Sequence, residues 1–291
     1  MKKTSKNLIE IIANTGLARV MAAHNPLSAM LVEEAGFDGI WASGFEYSAS
    51  QGLADVSLVS MAEHLNVVRA ISDRTSLPII ADIDTGYGNA INVLYTVQQY
   101  EAAGAVAIVI EDKTFPKVTS LIEGGRQDLL PIPEFQGKIR AAVSARKDSN
   151  FLIIARVEAL IAGLGEEIAL ERATKYAEAG ADMILIHSKQ KTPDEIESFI
   201  NAWSGDIPIV IIPTAYPQMT EARAKALKKI GILIYGNHAV RASVTAMQQV
   251  FAKIIADGGI QNVNDEIVSV AEIFRLQKMD EVKENENRFM N

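Results

Sequence analysis

The chain of 291 residues contains no cysteine. That absence excludes disulfide bonds, thiolate ligands for a metal, and any reaction that uses a cysteine as nucleophile or acid. Long apolar runs are also missing, because no stretch approaches the ~20 residues that a membrane-spanning helix needs. The first residues lack the apolar core of a secretion signal as well. We therefore expect a cytoplasmic protein with no membrane partner.

Positive charge is scarce in this chain. Lysine and arginine number 28 against 36 aspartates and glutamates, which gives a formal net charge of −8 at pH 7. A protein that binds nucleic acid needs clustered lysine and arginine to neutralise the phosphate backbone. We therefore expect no nucleic-acid partner.

Short β-branched runs alternate with longer helical stretches along nearly the whole chain. Eight strand and helix units of this kind favour a (β/α)8 TIM-type barrel. The alternative is an open doubly wound sheet, which requires a glycine-rich phosphate loop after the first strand. His24, Asn25 and Pro26 stand there instead. The predicted strands are residues 18–24, 38–44, 78–84, 105–112, 152–159, 183–188, 208–214 and 232–237.

Three acids close two consecutive predicted strands: Asp82 and Asp84 the third, and Glu111 the fourth. Side chains two apart on a strand point the same way, so the aspartates project together. Mg²⁺ prefers such oxygen ligands and keeps several waters. A single aspartate at a strand end is also typical of a helix N-cap, but three acids at adjacent strand ends favour a metal site.

Basic side chains collect near the same predicted strand ends, although the chain as a whole is acidic. This placement predicts a small anionic substrate, which a metal and a guanidinium would neutralise locally. An alternative, compatible with the first, is that the bases offset the acids. The residues are Lys113, Lys117, Arg126, Arg156, His187 and Lys189. His64 lies within a helical pattern and is expected on the surface or in packing.

Two predicted connections, residues 45–59 and 113–133, exceed the 2 to 6 residues usual in such barrels. Long loops at the active end of a barrel commonly act as lids, and solvated insertions are the alternative. We also predict a barrel over residues 1–258 and a helical extension over residues 259–291. That extension is expected to pack on its own barrel or on a second subunit.

Five strings resemble the phosphoenolpyruvate mutase and isocitrate lyase superfamily. Within it, the chain is most similar to the phosphonopyruvate hydrolases, and next to the phosphoenolpyruvate mutases. The resemblance implies a barrel whose last helix is exchanged between subunits of a homodimer or homotetramer. It also implies Mg²⁺ chemistry on 2-oxo acids, with Mn²⁺ or Co²⁺ as alternative ions. The strings occupy residues 39–44, 81–89, 111–117, 155–159 and 236–238.

The resemblance further implies roles for individual residues. The residues expected to hold Mg²⁺, directly or through water, are Asp82, Asp84 and Glu111. The residues expected to bind the substrate's carboxylate and oxo oxygens are Ser43, Gly44 and Phe45. Ser120, in the second predicted lid at residues 113–133, is also expected to bind substrate. The pair expected to bind the phosphonate is Arg156 and His187. The lid residues expected to take part in catalysis are Asp55, Lys117 and Thr119.

One lid position separates two activities within the superfamily. The resemblance implies Asn-Ser there in the mutases, whereas this chain reads Thr119-Ser120, as the hydrolases do. The resemblance therefore implies Mg²⁺-dependent hydrolysis of 3-phosphonopyruvate to pyruvate and phosphate. The alternatives are phosphoenolpyruvate mutase activity, a 2-oxo acid lyase or decarboxylase, and a barrel without catalysis that serves assembly. The lyase route is disfavoured because it uses a cysteine. Whether Asp55 acts as general base or nucleophile stays open.

Overall fold

A computed structural model describes residues 7–290 as a closed barrel of parallel strands with helices between them. Each strand pairs with the next along the chain, and the eighth pairs with the first. The predicted (β/α)8 barrel is therefore confirmed. The strands are β1 (Ala18–Ala23), β2 (Gly39–Ala42), β3 (Ile79–Asp82), β4 (Ala107–Glu111), β5 (Leu152–Val157), β6 (Met183–Ile186), β7 (Ile209–Ile211) and β8 (Ile230–Tyr235).

Helices alternate with these strands, and most begin at a capping side chain. Asn25, Ser60 and Asn89, for example, accept backbone N–H groups in capping boxes at the start of three helices. The helices are α1 (Leu8–Thr15), α2 (Pro26–Glu34), α3 (Gly44–Ser50), α4 (Met61–Ser72), α5 (Ala90–Ala102), α6 (Ile132–Ala145), α7 (Glu166–Glu178), α8 (Asp194–Ala202), α9 (Glu221–Ala226), α10 (His238–Asp257), α11 (Val270–Leu276) and α12 (Met279–Phe289).

The strands are buried on both faces, which explains why they read as continuous apolar runs. Alternate residues of β3 and β4 belong to different clusters. Ile80 and Val109 pack in one with Leu8 of α1, whereas Ile79 and Ile108 pack in the other with residues of the surrounding helices. Because successive side chains of a strand point to opposite faces, the same strands contribute to two hydrophobic clusters, one on each face of the sheet. This double packing fixes where each strand ends, and so where its terminal polar residues stand.

The first long connection is shorter than predicted. Residues 44–50 form helix α3, because the Ser43 hydroxyl oxygen accepts the backbone N–H of Glu46 and caps the helix. The second connection stays irregular from residue 112 to 131, as predicted. Its two ends are held together where the Leu130 N–H donates to the Asp112 carbonyl at 2.8 Å. The second connection is thus closed at its base.

The described chain divides into two compact units, with the boundary after Ala239. Helix α10 is grouped with the C-terminal unit, and the sequence-based boundary at residue 258 falls at the end of α10. Lys278, with a φ of 57°, separates α11 from α12 in the predicted helical extension. Within residues 7–290, no helix is both long enough and apolar enough to cross a bilayer.

Candidate active site

Three carboxylates meet at the ends of β3 and β4. Asp82 closes β3 and Glu111 closes β4, and both side chains are buried. Asp84 follows β3 with a φ of 51°, and its carbonyl oxygen accepts the N–H of Glu111 at 2.9 Å. A non-glycine residue in the left-handed region is strained, and such strain is typical of functional sites. The structure therefore brings the three acids to neighbouring strand ends, where both Asp84 and Glu111 help to raise the pKa of Asp82.

The backbone of Gly44 approaches two of these carboxylates closely. Its N–H donates to Asp82 Oδ2 over 3.4 Å. A Cβ atom at this position would lie 3.3 Å from Asp84 Oδ1 and 3.5 Å from Asp82 Oδ2. Glycine is therefore favoured here because a side chain would crowd the acids. The end of β2 thus presents bare backbone to the carboxylate cluster.

Lys117 joins the two long connections to the cluster. Its Nζ lies 2.9 Å from Asp55 Oδ1 and 2.7 Å from Asp84 Oδ1. Its backbone N–H donates to the Ser57 hydroxyl at 3.2 Å. Burial alone would lower the pKa of Lys117, but the surrounding carboxylates, Asp84 foremost, outweigh it and raise that pKa well above its ordinary value. The ammonium group therefore stays charged.

A second cluster lies at the end of β5. Arg156 Nε donates to Glu158 Oε1 at 2.5 Å, and its Nη2 lies 2.9 Å from the Ser120 hydroxyl and 3.1 Å from His187 Nδ1. The Ser120 hydroxyl donates to Glu158 Oε2 at 2.6 Å. Lys113 Nζ lies 3.1 Å from Glu158 Oε2 and donates to Ser120. The second connection is thus bonded directly to Arg156, one of the two residues predicted to bind the phosphonate.

Charge and burial set the protonation states in this second cluster. Burial would raise the pKa of Glu158, but Arg156 and Lys113 overcome it and hold the pKa well below its ordinary value. Burial lowers the pKa of His187, so its ring is neutral near pH 7. When His187 Nδ1 accepts from Arg156, its Nε2 carries the proton. That buried Nε2 has no hydrogen-bond partner among residues 7–290.

The two clusters together contain more carboxylates than cations. Glu111 connects them, because its Oε2 lies 3.4 Å from Arg156 Nε. The acids are Asp55, Asp82, Asp84, Glu111 and Glu158, and the permanent cations are Lys113, Lys117 and Arg156. The excess is two negative charges. Burial, with repulsion from Asp84, accordingly raises the pKa of Asp82 to about 7, although Lys117 opposes the shift.

A divalent cation would balance this excess. Glu111 Oε1 is buried and has no hydrogen-bond partner in the described part of the chain. In that same part, no three His, Cys, Asp or Glu side chains converge as a complete ligand set. Mg²⁺ is usually held by one or two carboxylates together with waters and substrate oxygens, so it does not need such a set. The donor atoms present therefore fit Mg²⁺, and the assignment of Asp82, Asp84 and Glu111 as its ligands stays a prediction.

The remaining predicted residues divide between the site and the surface. Thr119 stands between Val118, whose carbonyl accepts from Lys113 Nζ at 2.8 Å, and Ser120. Phe45 lies in the first turn of α3, and its side chain is exposed. Arg126 pairs with Asp128 at the exposed surface rather than joining either cluster. At least one of the six bases that the sequence placed near the site, Arg126, therefore lies outside both clusters.

Sequence reasoning assigned no individual role to Glu158 or His24, and it placed Lys113 only among the bases expected near an anionic substrate. Glu158 and Lys113 carry the second cluster, and their position at strand ends was the signal. His24 bonds Glu46 through Nδ1 at 2.9 Å, so it links β1 to α3. His64 was expected either on the surface or in packing. It is buried, and its ring nitrogens lie 2.8 Å from the Tyr100 hydroxyl and 3.2 Å from the Ala42 carbonyl oxygen, so it is a packing residue.

The chain is similar to proteins whose activity or structure is known. A family model described as phosphoenolpyruvate phosphomutase matches residues 8–255. The chain is 60% identical to a phosphonopyruvate hydrolase of Variovorax sp. (strain Pal2), over 94% of each protein. It is 43% identical to a phosphoenolpyruvate phosphomutase of Tetrahymena pyriformis, over 99% of this chain and 96% of the other. A crystal structure of phosphonopyruvate hydrolase with oxalate and Mg²⁺ matches with a TM-score of 0.93 and 55% identity over all of both chains.

Replacing Asp82 with asparagine should stabilise the metal-free protein at alkaline pH. The raised pKa means that Asp82 contributes stability while it is protonated, and that this contribution is lost as the pH rises through about 7. Asparagine does not ionise, so the midpoint of thermal unfolding in chelator should rise by about 5 °C above pH 8 and much less near pH 5. Added Mg²⁺ should stabilise the natural protein more than the Asp82→Asn variant. Equal stabilisation of both by Mg²⁺ would contradict a role for Asp82 in holding the ion.

Proposed function

The chain belongs to the phosphoenolpyruvate phosphomutase family, and on this premise we propose that it hydrolyses 3-phosphonopyruvate to pyruvate and phosphate with Mg²⁺ as cofactor. The observation that carries the proposal is the meeting of two buried clusters through Glu111 and Arg156. One cluster has an excess of carboxylates, and the other offers cationic and N–H donors. The higher identity to the hydrolase, 60% against 43%, favours hydrolysis over the mutase reaction.

The reaction breaks a bond between carbon and phosphorus and forms one between phosphorus and the oxygen of water. The electron pair of the broken bond passes to the methylene carbon, and the neighbouring carbonyl takes up its charge as an enolate oxygen. A proton, supplied overall by the attacking water, then adds to that carbon and gives the methyl group of pyruvate. Mg²⁺ held by Asp82, Asp84 and Glu111 would supply positive charge beside the substrate's carboxylate and oxo oxygens. The Ser43 hydroxyl and the Gly44 N–H, which donates to Asp82 Oδ2 over only 3.4 Å here, would donate to those same oxygens as an oxyanion hole.

The phosphonate oxygens would be bound by Arg156 and His187. Arg156 is held by Glu158 and Ser120, so its guanidinium stays in one orientation. With Nδ1 accepting from Arg156, neutral His187 would carry its proton at Nε2, which has no partner among the described residues, and a phosphonate oxygen would accept it. Both groups act by stabilising charge that moves among the phosphoryl oxygens as the bond breaks.

Asp55 would act on the attacking water or on phosphorus itself. It lies on the first connection, and Lys117 holds it beside Asp84. As general base it would take a proton from water, and as nucleophile it would form an acyl phosphate that water then cleaves. Both routes consume one water and release phosphate.

The mutase reaction is the second candidate, and it differs at the lid. A mutase must keep water from the phosphoryl group while that group migrates. The Thr119 side chain is partly exposed, and it is held by the contacts of Lys113 with both neighbouring residues. A short hydroxyl at this position would leave room for water or orient it, which favours hydrolysis.

We also propose that the protein forms a homodimer or homotetramer. Within the C-terminal unit, α10 exposes an apolar stripe at helical spacing, and Phe251 is 60% exposed and Ile255 83%. A second copy of the chain would cover such a face. The other members of the stripe are Val244 and Met247. Use of Mn²⁺ or Co²⁺ in place of Mg²⁺ and a location in the cytoplasm stay predictions.

Phosphorus NMR of the purified protein with phosphonopyruvate and Mg²⁺ tests the function directly. Free phosphate and phosphoenolpyruvate give separate signals, so one spectrum distinguishes hydrolase from mutase. We expect phosphate to accumulate, with chelator abolishing the reaction. Accumulation of phosphoenolpyruvate, or no reaction at all, would overturn the proposal.

Asp55→Ala should lower the rate of phosphate release by about 10²- to 10⁴-fold, because the general base or nucleophile is lost. Binding of oxalate with Mg²⁺ should remain, since the acids proposed to hold the ion are elsewhere. Calorimetry measures that binding without turnover. Asp128→Ala is the matched control, because it removes an exposed carboxylate from the other connection, and it should hydrolyse normally. Undiminished turnover by Asp55→Ala would refute its role.

Thr119→Asn should suppress hydrolysis by at least about 10-fold, because the larger amide would displace or shield the attacking water. Phosphorus NMR should then show phosphoenolpyruvate if the shielded phosphoryl group migrates. Thr119→Ser keeps a hydroxyl and should retain most of the activity. Normal hydrolysis by Thr119→Asn would remove the basis for choosing between the two reactions at this residue.

Phe251→Glu should shift the protein toward monomers, because a carboxylate in the apolar stripe would be buried without a partner. Light scattering coupled to gel filtration measures the mass. Gln249→Glu adds the same charge to the opposite side of the helix and should leave the assembly intact. A natural protein that is already monomeric would contradict the proposed assembly.

A further inference from the structure

A buried network of hydrogen bonds around Asp112 joins the ends of β4 and β5 to helix α7. Asp112 directly follows β4, and its side chain is fully buried. Its Oδ1 accepts the backbone N–H of Glu158 at 2.9 Å. Its Oδ2 accepts from Arg172 Nη1 at 2.9 Å and from the Tyr176 hydroxyl at 2.7 Å, and both donors lie on α7. The two carboxylate oxygens thus bond two different elements of the barrel.

The backbone of Asp112 is held at the same place. Its N–H donates to the carbonyl oxygen of Arg156 at 3.2 Å, and its own carbonyl oxygen accepts the N–H of Leu130. Arg172 Nη1 also donates to the Leu130 carbonyl oxygen at 3.1 Å and to the Tyr176 hydroxyl at 2.8 Å. All of these residues are buried. Asp112 therefore connects β4 and β5 to the base of the second long connection.

The N–H that Asp112 accepts belongs to the residue that holds Arg156 in its orientation. Glu158 Oε1 accepts from Arg156 Nε at 2.5 Å, and Glu158 Oε2 accepts from the Ser120 hydroxyl at 2.6 Å. A shift of the Glu158 backbone would move this carboxylate. Because the carboxylate grips the guanidinium, the direction of Arg156 would change with it.

The planar carboxylate of Asp112 transmits orientation from α7 to the end of β5. A carboxylate is rigid, so the bonds of Arg172 and Tyr176 to Oδ2 also fix the direction of Oδ1 toward Glu158. The charge of Arg172 offsets that of Asp112, so the pair leaves the excess of negative charge in the site unchanged. Buried ion pairs often contribute no more to stability than apolar side chains of similar volume. Orientation of Glu158 therefore explains this pair better than stability does.

We infer that Asp112 is a positioning residue, whose carboxylate holds the backbone of Glu158 and thereby aims the Arg156 guanidinium at the phosphonate oxygens. The inference rests on the proposed function, because it concerns how that same site orients its phosphonate-binding group. Arg172 and Tyr176 hold the Asp112 carboxylate in turn. Its loss should therefore weaken the contacts of the phosphonate and spare those of the metal.

Tyr176→Phe and Asp112→Asn disturb the network in two ways. Tyr176→Phe removes one donor to Oδ2 and keeps the ring. Asp112→Asn keeps the shape, but its NH2 group must face either the N–H of Glu158 or the guanidinium of Arg172, so one bond is lost. The kcat/KM for phosphonopyruvate should fall by about 10- to 100-fold in Asp112→Asn, because a misdirected guanidinium stabilises the transition state less well. The loss in Tyr176→Phe should be smaller.

Two ligands separate positioning from a general loss of structure. Oxalate has no phosphorus group, so its affinity in the presence of Mg²⁺, measured by calorimetry, should be unchanged in both variants. Phosphonopyruvate can be measured in the same way when each variant is combined with Asp55→Ala, which prevents turnover. Its affinity should fall by about 10-fold when Asp112→Asn is added, since a charge-assisted hydrogen bond to the phosphonate is weakened.

Glu158→Gln tests whether Asp112 acts through Glu158. Glu158→Gln should itself weaken phosphonopyruvate binding, because an amide grips the guanidinium less firmly than a carboxylate does. Asp112→Asn should then cost less in combination with Glu158→Gln than it costs alone, since substitutions that act through one shared partner are not additive. Fully additive losses would contradict this route of action.

Phe135→Leu is the matched control for stability. Phe135 packs against the ring of Tyr176, with the ring centroids 4.6 Å apart, and its side chain has no polar group. The substitution should lower the midpoint of thermal unfolding while leaving the affinities for both ligands unchanged.

Two further outcomes would overturn the inference. One is a pair of folded variants, Tyr176→Phe and Asp112→Asn, that keep the natural affinity for phosphonopyruvate. The other is an equal loss of affinity for oxalate and phosphonopyruvate. If Asp112→Asn does not fold, Tyr176→Phe decides the question. If the natural protein binds phosphonopyruvate without releasing phosphate, and the variants weaken that binding but spare oxalate, the proposed hydrolysis fails and the positioning role of Asp112 is supported.

Discussion

An excess of buried negative charge at the strand ends is the constraint on which the rest of the site depends. Carboxylates from β3, β4 and the first long connection lie close together, and Lys117 and Arg156 balance them only in part. Buried charge without compensation is costly. A divalent cation bound among these carboxylates, as proposed above, would complete the balance. Binding of the cation, the position of Lys117 and the charge of the substrate would therefore all affect the same excess of negative charge.

The sequence was sufficient for the barrel and for the first cluster, because both depend on local pattern. Strands buried on both faces read as apolar runs, and the polar residue that ends each run stands at the active end. It was not sufficient for α3, where residues 44–50 lack an apolar period and a serine cap decides the structure. The contact between His64 and Tyr100 was also hidden, since 36 residues separate them and no pattern reports such a pairing.

Hydrolases and mutases of this family share one scaffold, so the difference between their activities lies in the side chains of the site. Thr119 shows how a change in one of them would work. Lys113 reaches from the end of β4 and bonds both neighbours of Thr119, which leaves only the side chain of that residue free to vary. A fixed backbone with one variable side chain allows the fate of the phosphoryl group to change while the metal site stays the same.

Three side chains of the barrel unit form a hydrogen-bonded chain, in which the Tyr100 hydroxyl lies 3.1 Å from the Tyr87 hydroxyl and 2.8 Å from His64 Nδ1. This chain restricts which substitutions the protein tolerates at the three positions. Each hydroxyl or ring nitrogen in the chain is the hydrogen-bond partner of the next. Removing one partner leaves a buried polar atom unsatisfied, which lowers the free energy of unfolding by about 1–3 kcal/mol. Replacing both partners by apolar groups is nearly neutral. Single exchanges are therefore penalised more than concerted ones. Descendants should inherit these three positions as a set, or lose them as a set.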